Sequence, residues 1–373
     1  MSAAPNLTSH VSRAKPRVLI VDDSAVVRGL VARWIENDSR LDVAATCADG
    51  EQGVRKAGEL QPDLVVLDIE MPRMDGLTAL PLILKAAPRA RVVMASTLTR
   101  KGAEVTMRAL SLGAADYAPK PEAGRVAGAE AYREDLMAKL VALSPSYRAK
   151  PATFCPASAA PARPAARPAP VYPSTPRTAI ATRPNLIAIG SSTGGPQALR
   201  EVMGALPRDA RAPVVIAQHM PKLFTAILAE HLSKVGPPAS EARHGETLRA
   251  GHVYLAPGDF HLTVHAVGGG FTAELDQNPQ VNFCRPAVDP LFESCAAAAG
   301  RALLAVVLTG MGHDGREGAR AVRAAGGQVI AQDQATSVVW GMPGAVAEAG
   351  LADQILPLKD IGPEMSRRLK GTV

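Results

Sequence analysis

The chain has 373 residues, of which 47% are hydrophobic and 20% are charged. This length predicts two or three domains, and the composition is typical of soluble globular domains. No apolar run reaches the roughly 18 residues that a membrane-spanning helix needs. The N-terminus lacks the apolar core of a signal peptide. We therefore expect a cytoplasmic protein that does not insert into a membrane.

The net charge of +6 would fit a nucleic-acid-binding protein if it formed a basic face. The whole excess comes from a segment without Asp or Glu, whose basic residues are Arg148, Lys150, Arg163, Arg167, Arg177 and Arg183. The rest of the chain is balanced, and it shows no basic pattern with interleaved aromatic residues. The sequence therefore does not favour a nucleic-acid partner.

The four cysteines are Cys47, Cys155, Cys284 and Cys295. They have no C-x-x-C spacing, which disfavours a zinc site and a disulfide framework. We expect them to be reduced.

The segment from Pro151 to Pro176 contains eight prolines in 26 residues. Proline lacks an N–H group and fixes φ, so neither a helix nor a central strand can persist there. The segment predicts an extended, semi-rigid linker. We therefore divide the chain into a first domain over residues 16–137, a Pro/Ala-rich linker over 138–182 and a second domain over 183–373. A short disordered segment is expected before the first domain.

In the first domain, short apolar runs alternate with segments of helical periodicity. Val18–Val21, Leu64–Leu67 and Val92–Ala95 are predicted strands, and Ser24–Glu36 is a predicted helix. Such alternation is typical of an α/β fold with a parallel sheet and right-handed crossovers.

The second domain shows the same alternation, which again predicts a parallel sheet. Its predicted strands are Leu186–Ile189, Val214–Ala217, Leu303–Leu308 and Gln328–Ala331. Its predicted helices include Gln197–Leu206 and Pro290–Ala299. The segments Gly251–Leu255 and Asp259–Val264 are predicted to form a β-hairpin.

Polar residues stand at the carboxyl ends of the strands of the first domain. They are Asp22, Asp23, Asp68, Ser96 and Lys120. Ligands of open parallel sheets bind at this edge, so we expect these side chains to converge. Converging carboxylates need a hard cation such as Mg²⁺, and a carboxylate can itself attack a phosphoryl group. The alternative for Asp22 and Asp23 alone is that they cap the following helix.

In the second domain, the strand NLIAIG leads into Ser191, Ser192, Thr193 and Gly194. Together with Gly190 this turn fits the G-x-S-x-G pattern, which exposes a hydroxyl at a sheet edge. The alternatives are a glycine-rich phosphate cradle and an ordinary strand–helix turn. A Walker A loop is excluded because no G-K-[ST] follows, and the Rossmann glycine pattern is absent.

A serine nucleophile needs a base, and His219 and His313 both follow apolar strands. His219 is favoured because its strand is next to the Ser192 strand in the chain. Asp314 is favoured as the carboxylate that orients the base, since it lies in a glycine-rich turn whose N–H groups can face an oxyanion. For any one histidine, the alternative is a structural or surface role. The order Ser, His, Asp differs from that of α/β-hydrolases, so the pattern does not place the domain in that fold.

The stretches VLIVDDSAVVR, DLVVLDIEMPRMDG, VVMASTLT and GAADYAPKP are together similar to the receiver domain of bacterial two-component response regulators. The resemblance implies a flavodoxin-like fold with a five-stranded parallel sheet, and phosphorylation of Asp68. It implies Mg²⁺ bound by Asp22, Asp23 and Asp68 with the backbone of Glu70. It also assigns a switch hydroxyl, a switch aromatic residue and a phosphate-contacting cation, which are Ser96, Tyr117 and Lys120.

The stretches IGSSTGGPQAL, VVIAQHMP, HVYLAPGDFHL, LTGMGHDG and QVIAQDQATSVVWGMPGAV resemble the catalytic domain of CheB-type chemotaxis methylesterases. The resemblance implies a doubly wound α/β domain that needs no metal. It implies hydrolysis of glutamate methyl esters on chemotaxis receptors and deamidation of receptor glutamines, with a sensor histidine kinase as phosphodonor. It assigns Ser192 as nucleophile, His219 as base and Asp314 as orienting carboxylate. Three further residues are placed at the oxyanion or beside the nucleophile, namely Met311, Thr193 and Gly194.

Two residues depart from the family pattern. Ser191 stands where alanine is common and could compete for hydrogen bonds. His313 stands where asparagine is common, and a second imidazole could perturb the pKa of His219.

Two other classes of protein are weighed against a hydrolase. A phosphorylation-gated binding module would not need the intact set of Ser192, His219 and Asp314. A DNA-binding regulator would need a helix-turn-helix where the second domain has strands. For the hydrolase, we hypothesise that the unphosphorylated receiver covers the Ser192 site.

Overall fold

The computed structural model describes residues 15–120, 127–145 and 182–371. The predicted N-terminal segment and the proline-rich part of the linker, with Cys155, lie outside the described residues.

The first described region contains a five-stranded parallel sheet with the strand order β2-β1-β3-β4-β5. Its strands are β1 (Arg17–Val21), β2 (Asp42–Cys47), β3 (Leu64–Asp68), β4 (Arg91–Thr97) and β5 (Asp116–Lys120). Its helices are α1 (Ala25–Glu36), α2 (Gly50–Leu60), α3 (Gly76–Ala86), α4 (Arg100–Ser111) and α5 (Ala127–Leu143). This strand order confirms the flavodoxin-like fold.

Four of the helices begin at a residue whose side chain accepts a hydrogen bond from the first turn. These residues are Ser24, Asp49, Asp75 and Thr99. Such caps satisfy N–H groups that have no partner within the helix. The central strand β3 is buried throughout, as expected for a parallel strand that is covered on both faces.

The first domain extends beyond the predicted boundary at residue 137, because α5 ends only at Leu143. Leu136, Leu140 and Leu143 are all buried, and this helical spacing carries one apolar face past the predicted end. The prediction that the linker begins at residue 138 is therefore wrong, because α5 continues to Leu143.

The second domain contains a seven-stranded parallel sheet with the order β15-β14-β13-β6-β7-β10-β8. Its strands are β6 (Leu186–Ser191), β7 (Val214–Gln218), β8 (Ala239–Glu241), β10 (Val253–Leu255), β13 (Leu303–Val307), β14 (Gln328–Gln332) and β15 (Gln354–Leu356). Its helices are α6 (Gly195–Gly204), α7 (Lys222–Val235), α8 (Val288–Ala299), α9 (Arg316–Ala324), α10 (Met342–Glu348) and α11 (Leu358–Lys370). The predicted doubly wound α/β domain is confirmed.

The hairpin of the second domain lies elsewhere than predicted. The strand β10 pairs with β7 and β8 in the large parallel sheet. The hairpin is formed by β11 (His261–Val267) and β12 (Gly270–Asp276), and β9 (Thr247–Leu248) completes a three-stranded antiparallel sheet. Gly268 and Gly269 join its strands with φ of 59° and 83°, which is the conformation that tight hairpin turns require.

The two domains contact each other through α4, which packs against α6 and α7. The ring of Tyr117 is stacked on the ring of Phe224, with 4.6 Å between the ring centroids. Gln197 Nε2 donates a hydrogen bond of 2.5 Å to the carbonyl oxygen of Ala114. The apolar cores of the two domains are therefore continuous at this interface.

Among the described residues, no helix is both long enough and apolar enough to span a membrane.

Candidate functional site

The acidic residues of the first domain meet where the strand order reverses. Asp22 and Asp23 follow β1, and Asp68 ends the neighbouring strand β3. Their carboxylate oxygens lie within 4.8 Å of one another. Lys120 Nζ lies 2.7 Å from Asp22 Oδ2 and 2.7 Å from Asp68 Oδ1. The site thus holds three carboxylates, and Lys120 bonds two of them.

This electrostatic imbalance is visible in Asp68. Burial raises the pKa of its carboxyl to about 6, and Asp22 acts in the same direction, although Lys120 opposes both. Asp23 is exposed beside a cavity of about 300 Å³ that Glu70 and Lys120 also line. Because the ligands are all oxygen atoms with uncompensated negative charge, the residues fit a hard divalent cation such as Mg²⁺.

Two residues assigned as switches face away from this cavity. Ser96 Oγ is buried and lies 2.6 Å from Thr106 Oγ1 of α4. The neighbouring residue Thr97, rather than Ser96, lines the acidic cavity. Tyr117 is buried against Phe224 of the second domain. Both residues therefore contact the elements through which the two domains meet.

The residues assigned to catalysis in the second domain meet at another reversal of strand order. Ser192 follows β6, which lies between β13 and β7. Asp314 lies in the turn after β13, and His219 follows β7 directly. The carboxyl ends of these three parallel strands bring the three residues to one edge, which is where open α/β sheets bind ligands.

The turn at Ser192 presents a half-buried hydroxyl at the beginning of α6. The backbone N–H of Ser192 donates to the carbonyl oxygen of Thr309 over 3.0 Å. Gly194 has a φ of 76°, and a Cβ atom there would lie 2.6 Å from Val338. Only glycine fits this position without strain. Gln218 Nε2 donates to the Ser192 carbonyl oxygen over 3.0 Å, which ties the turn to β7.

The carboxylate of Asp314 is held by its neighbours. His219 Nε2 lies 2.7 Å from Asp314 Oδ2. Backbone N–H groups of Val288, Asp289 and Gly315 donate to the same carboxylate over 2.7–3.0 Å. Burial alone would raise the pKa of Asp314, but His219 and these donors lower it to about 2. Asp314 is therefore ionised and can stabilise an imidazolium.

The imidazole of His219 has a second neighbour, since Nδ1 lies 3.4 Å from Cys284 Sγ. Burial lowers the pKa of His219, whereas the contact with Asp314 raises it, and the net effect is a raised pKa. Among the hydrogen bonds of the described residues, none joins Ser192 Oγ to His219. Nucleophile and base thus share an edge without a direct bond.

The turn between Gly310 and Gly312 lies against Ser192. A Cβ atom at Gly310 would lie 2.9 Å from the Ser192 Cβ, and Gly312 has a φ of 81°. The intervening Met311 packs against an apolar cluster that contains receiver residues and Val339 of the second domain. Thr193 is buried, and its carbonyl oxygen accepts a hydrogen bond from Thr309 Oγ1. This turn places backbone groups close to the nucleophile.

The side chains of the two residues that depart from the family pattern make no hydrogen bond to the His219 ring, although the backbone N–H of His219 donates to the Ser191 carbonyl oxygen over 3.1 Å. The hydroxyl of Ser191 donates to Gln218 Oε1 over 2.7 Å, so it has a partner of its own. His313 is exposed, and the polar partners of the His219 ring are Asp314 and Cys284.

Several residues of this edge do not follow a strand and were missed in the sequence. Asn282 Nδ2 lies 3.1 Å from Asp314 Oδ1 and 3.1 Å from Asp289 Oδ2. Asn282 and Cys284 belong to an irregular turn before α8, whereas the strand-end rule finds only residues after strands. The available signal is the polar Asn, Cys and Arg in QVNFCRPAVDPLF, directly before a predicted helix.

The fold and the two edges define a receiver domain coupled to a hydrolase-type α/β domain. Residues 18–127 match the model of the response regulator receiver domain, and residues 187–365 match that of the CheB methylesterase. The chain belongs to the CheB methylesterase family, which confirms the resemblance in its sequence and makes it an enzyme.

Curated relatives share the whole domain organisation. A protein-glutamate methylesterase/protein-glutamine glutaminase of Maricaulis maris is 58% identical over 98% of this chain and 100% of the relative. A protein of Caulobacter vibrioides with the same description is 52% identical over 95% of this chain and 99% of the relative. The CheB methylesterase catalytic domain of Thermotoga maritima is 43% identical, with a TM-score of 0.49 over 50% of this chain and 99% of that chain. The two curated relatives give no support to the alternatives of a binding module or a DNA-binding regulator.

Proposed function

We propose that this chain hydrolyses glutamate methyl esters and deamidates glutamines on methyl-accepting chemotaxis receptors, and that phosphorylation of its receiver activates it. The observation that carries the proposal is the 2.7 Å contact between His219 and Asp314 at the strand ends beside Ser192. This arrangement suits acyl transfer, and the similarity to curated methylesterases supplies the substrate.

In the proposed reaction, Ser192 Oγ attacks the ester carbonyl carbon while His219 takes its proton. Since Asp314 accepts from Nε2–H, the ring nitrogen that is free to take this proton is Nδ1. Asp314 stabilises the imidazolium, which then protonates the departing methoxide to give methanol. Water hydrolyses the acyl-enzyme by the same route. An amide passes through the same kind of tetrahedral intermediate, which accounts for deamidation.

The oxyanion of that intermediate needs donors close to Ser192. Backbone groups around Met311 and the first turn of α6 at Gly194 and Gly195 lie at this edge. Donors of this kind stabilise charge that develops only in the transition state.

In the receiver, Asp68 is the proposed phosphoacceptor, with a sensor histidine kinase as phosphodonor. Asp22, Asp23, Asp68 and the backbone of Glu70 would hold Mg²⁺, which would neutralise charge on the phosphoryl oxygens. The Lys120 ammonium, now bonded to both Asp22 and Asp68, would contact the phosphate. Both reactions are proposed to take place in the cytoplasm.

The unphosphorylated receiver is proposed to inhibit the second domain by direct contact. Tyr117 stacks on Phe224, and Gln197 bonds the backbone of Ala114. Burial raises the pKa of Asp116, whereas the nearby Lys139 and the side chain of Thr193 act to lower it. Receiver residues thus reach the residue next to the nucleophile. Ser96 bonds α4, so a new bond from Ser96 to a phosphate would disturb the helix that holds the domains together.

The test is methanol release from methylated receptor membranes by the full chain, with and without a small-molecule phosphodonor. We expect Ser192→Ala to abolish release, and Ser191→Ala, whose hydroxyl bonds Gln218, to retain it within a few-fold. Equal release by Ser192→Ala and the unmodified chain would refute the assigned nucleophile.

A further inference from the structure

A strained turn precedes α8 at the edge that holds His219. Val281 and Cys284 exchange two backbone hydrogen bonds, of 3.2 and 2.9 Å. The two residues between them, Asn282 and Phe283, have φ of 53° and 62°. This left-handed region is unfavourable for a bulky residue such as phenylalanine. Strain of this kind persists only where the surroundings fix the backbone.

The side chains of this turn contact both members of the base–carboxylate pair. Asn282 Nδ2 lies 3.1 Å from Asp314 Oδ1, and Cys284 Sγ lies 3.4 Å from His219 Nδ1. Cys284 is half-buried and is not in a disulfide. The turn therefore fixes a thiol on one ring nitrogen of the base while Asp314 bonds the other.

The direction of these bonds follows from the carboxylate. Ionised Asp314 can only accept, so Nε2 carries the proton in the neutral imidazole and Nδ1 carries the lone pair. A thiol is a weak donor, and the Cys284 S–H faces that lone pair. Nδ1 is also the nitrogen that must take the proton of Ser192. Among the described residues, Cys284 has the hydrogen bond to Nδ1 and Ser192 does not.

We propose that Cys284 is a positioning residue that holds Nδ1 of His219 in the resting enzyme and competes with Ser192 for it. This inference rests on the proposed function, because it takes Ser192 as the nucleophile and His219 as the base. Turnover then requires Ser192 to replace Cys284 at the ring, and the thiol sets how readily that exchange occurs.

The charged neighbours of the ring define the expected pH dependence. Asp314 contacts Nε2 of His219. Asn282 is hydrogen-bonded to both Asp314 and Asp289, which lies on α8. Lys139 of the receiver helix α5 interacts electrostatically with Cys284. Burial lowers the pKa of His219, whereas Asp314 raises it. An S–H that donates to the Nδ1 lone pair stabilises the neutral imidazole, so removing the Cys284 thiol should raise the pKa of the base.

The first test compares Cys284→Ala and Cys284→Ser with the unmodified full chain, all treated with the same phosphodonor. Because a thiol–imidazole hydrogen bond is weak, we expect Cys284→Ala to release methanol about fivefold faster at pH 7. A hydroxyl is a better donor than a thiol, so Cys284→Ser should be no faster than the unmodified chain. The acidic limb of the kcat/KM profile should move to higher pH in Cys284→Ala, because Nδ1 is then also more available to a proton.

The outcomes separate this inference from the proposed function. If Cys284→Ala has the rate and pH profile of the unmodified chain, competition at Nδ1 is refuted while the proposed function stands. The same holds if Cys284→Ala is slower and Cys284→Ser restores the rate. Loss of all turnover in Cys284→Ala would show that the reaction requires Cys284, and it would overturn the inference that the thiol competes with Ser192. Full activity in Ser192→Ala would instead remove the proposed function.

A second readout does not depend on turnover. Thiolates are the form that iodoacetamide alkylates, and the His219 imidazole can accept the Cys284 proton. In the full chain, we expect His219→Gln to slow alkylation of Cys284 several-fold at pH 7, with Cys155 as the internal reference. An unchanged ratio of the two alkylation rates, measured by peptide mass spectrometry, would show that the thiol and the imidazole do not share a proton.

Discussion

The acidic edge of the receiver and the serine edge of the second domain are built at the same place in two different sheets. In both, functional residues stand at carboxyl ends of parallel strands where the strand order reverses. The pKa values of their buried aspartates are shifted in opposite directions. Burial raises the pKa of Asp68 to about 6, whereas the donors around Asp314 outweigh burial and lower its pKa to about 2.

The difference comes from what each carboxylate faces. Asp68 faces Asp22 and shares a single lysine with it, so negative charge accumulates there. Asp314 faces an imidazole and three backbone N–H groups, so its charge is fully compensated. The first arrangement suits a site that binds a cation and accepts a phosphoryl group. The second suits a permanent counter-charge for an imidazolium.

The largest effect should come from removing that counter-charge. In Asp314→Asn the amide keeps the shape of the side chain but neither fixes the imidazole tautomer nor stabilises the imidazolium. We expect methanol release to fall on the order of 10⁴-fold, as in other hydrolases with such a triad. The matched control is Asp289→Asn, which alters the neighbouring carboxylate that bonds Asn282. A loss of less than tenfold in Asp314→Asn would contradict the proposed role of Asp314 as a permanent counter-charge for the imidazolium.

A smaller effect is expected at the receiver edge, because it regulates the reaction without taking part in it. Asp68→Asn should remove all stimulation by a phosphodonor, which for coupling of 1–3 kcal/mol is about 5-fold to 150-fold. Release without a phosphodonor should stay as in the unmodified chain. Glu51→Gln, an exposed substitution on α2, is the control. Residual stimulation in Asp68→Asn would place the phosphoacceptor elsewhere.

The placement of both edges could be predicted because the decisive residues follow strands. Apolar runs mark the strands in the sequence, and the ends of parallel strands converge whatever the loops do. Asp22, Asp68, Ser192 and His219 were found by this rule, and the structure brings each group to one edge. Their chemical roles came from the family resemblance and stay predictions.

Features that depend on backbone conformation or on distant packing could not be predicted. The hairpin was misplaced because a short buried strand such as β10 has the same apolar pattern in a parallel sheet as in a hairpin. Asn282 and Cys284 reach the base only through two consecutive left-handed residues. The contact of Tyr117 with Phe224 joins residues of different domains, which no local pattern connects.

The comparison also predicts opposite effects of pH on stability. In the folded protein the pKa of Asp68 is about 6, which is above the ordinary value of 3.8. Protonated Asp68 therefore contributes stability below pH 3.8, and this contribution is lost as the pH rises through 6. The folded pKa of Asp314, about 2, is below 3.8, so its contribution is present above 3.8 and is lost as pH falls towards 2.

Asp68→Asn should therefore stabilise the receiver by about 3 kcal/mol at pH 7, and the gain should vanish near pH 4. Urea unfolding with a metal chelator measures this, using the fluorescence of Trp34 on α1 in a Trp340→Phe background. Destabilisation at pH 7 would mean that the attraction between Lys120 and the Asp68 carboxylate outweighs the cost of burial and the repulsion by Asp22.

The smallest effect is expected at the contact that joins the two regions. Gln197→Ala removes the 2.5 Å hydrogen bond to Ala114 of the receiver without touching either edge. Since one such bond is worth about 1 kcal/mol, release by the unphosphorylated chain should rise at most about fivefold. Release after phosphorylation should not change. Glu230→Ala is the control, because its exposed pair with Arg100 at 4.0 Å should contribute almost nothing. If both variants leave the unphosphorylated rate unchanged, this part of the interface does not hold the receiver against the catalytic domain.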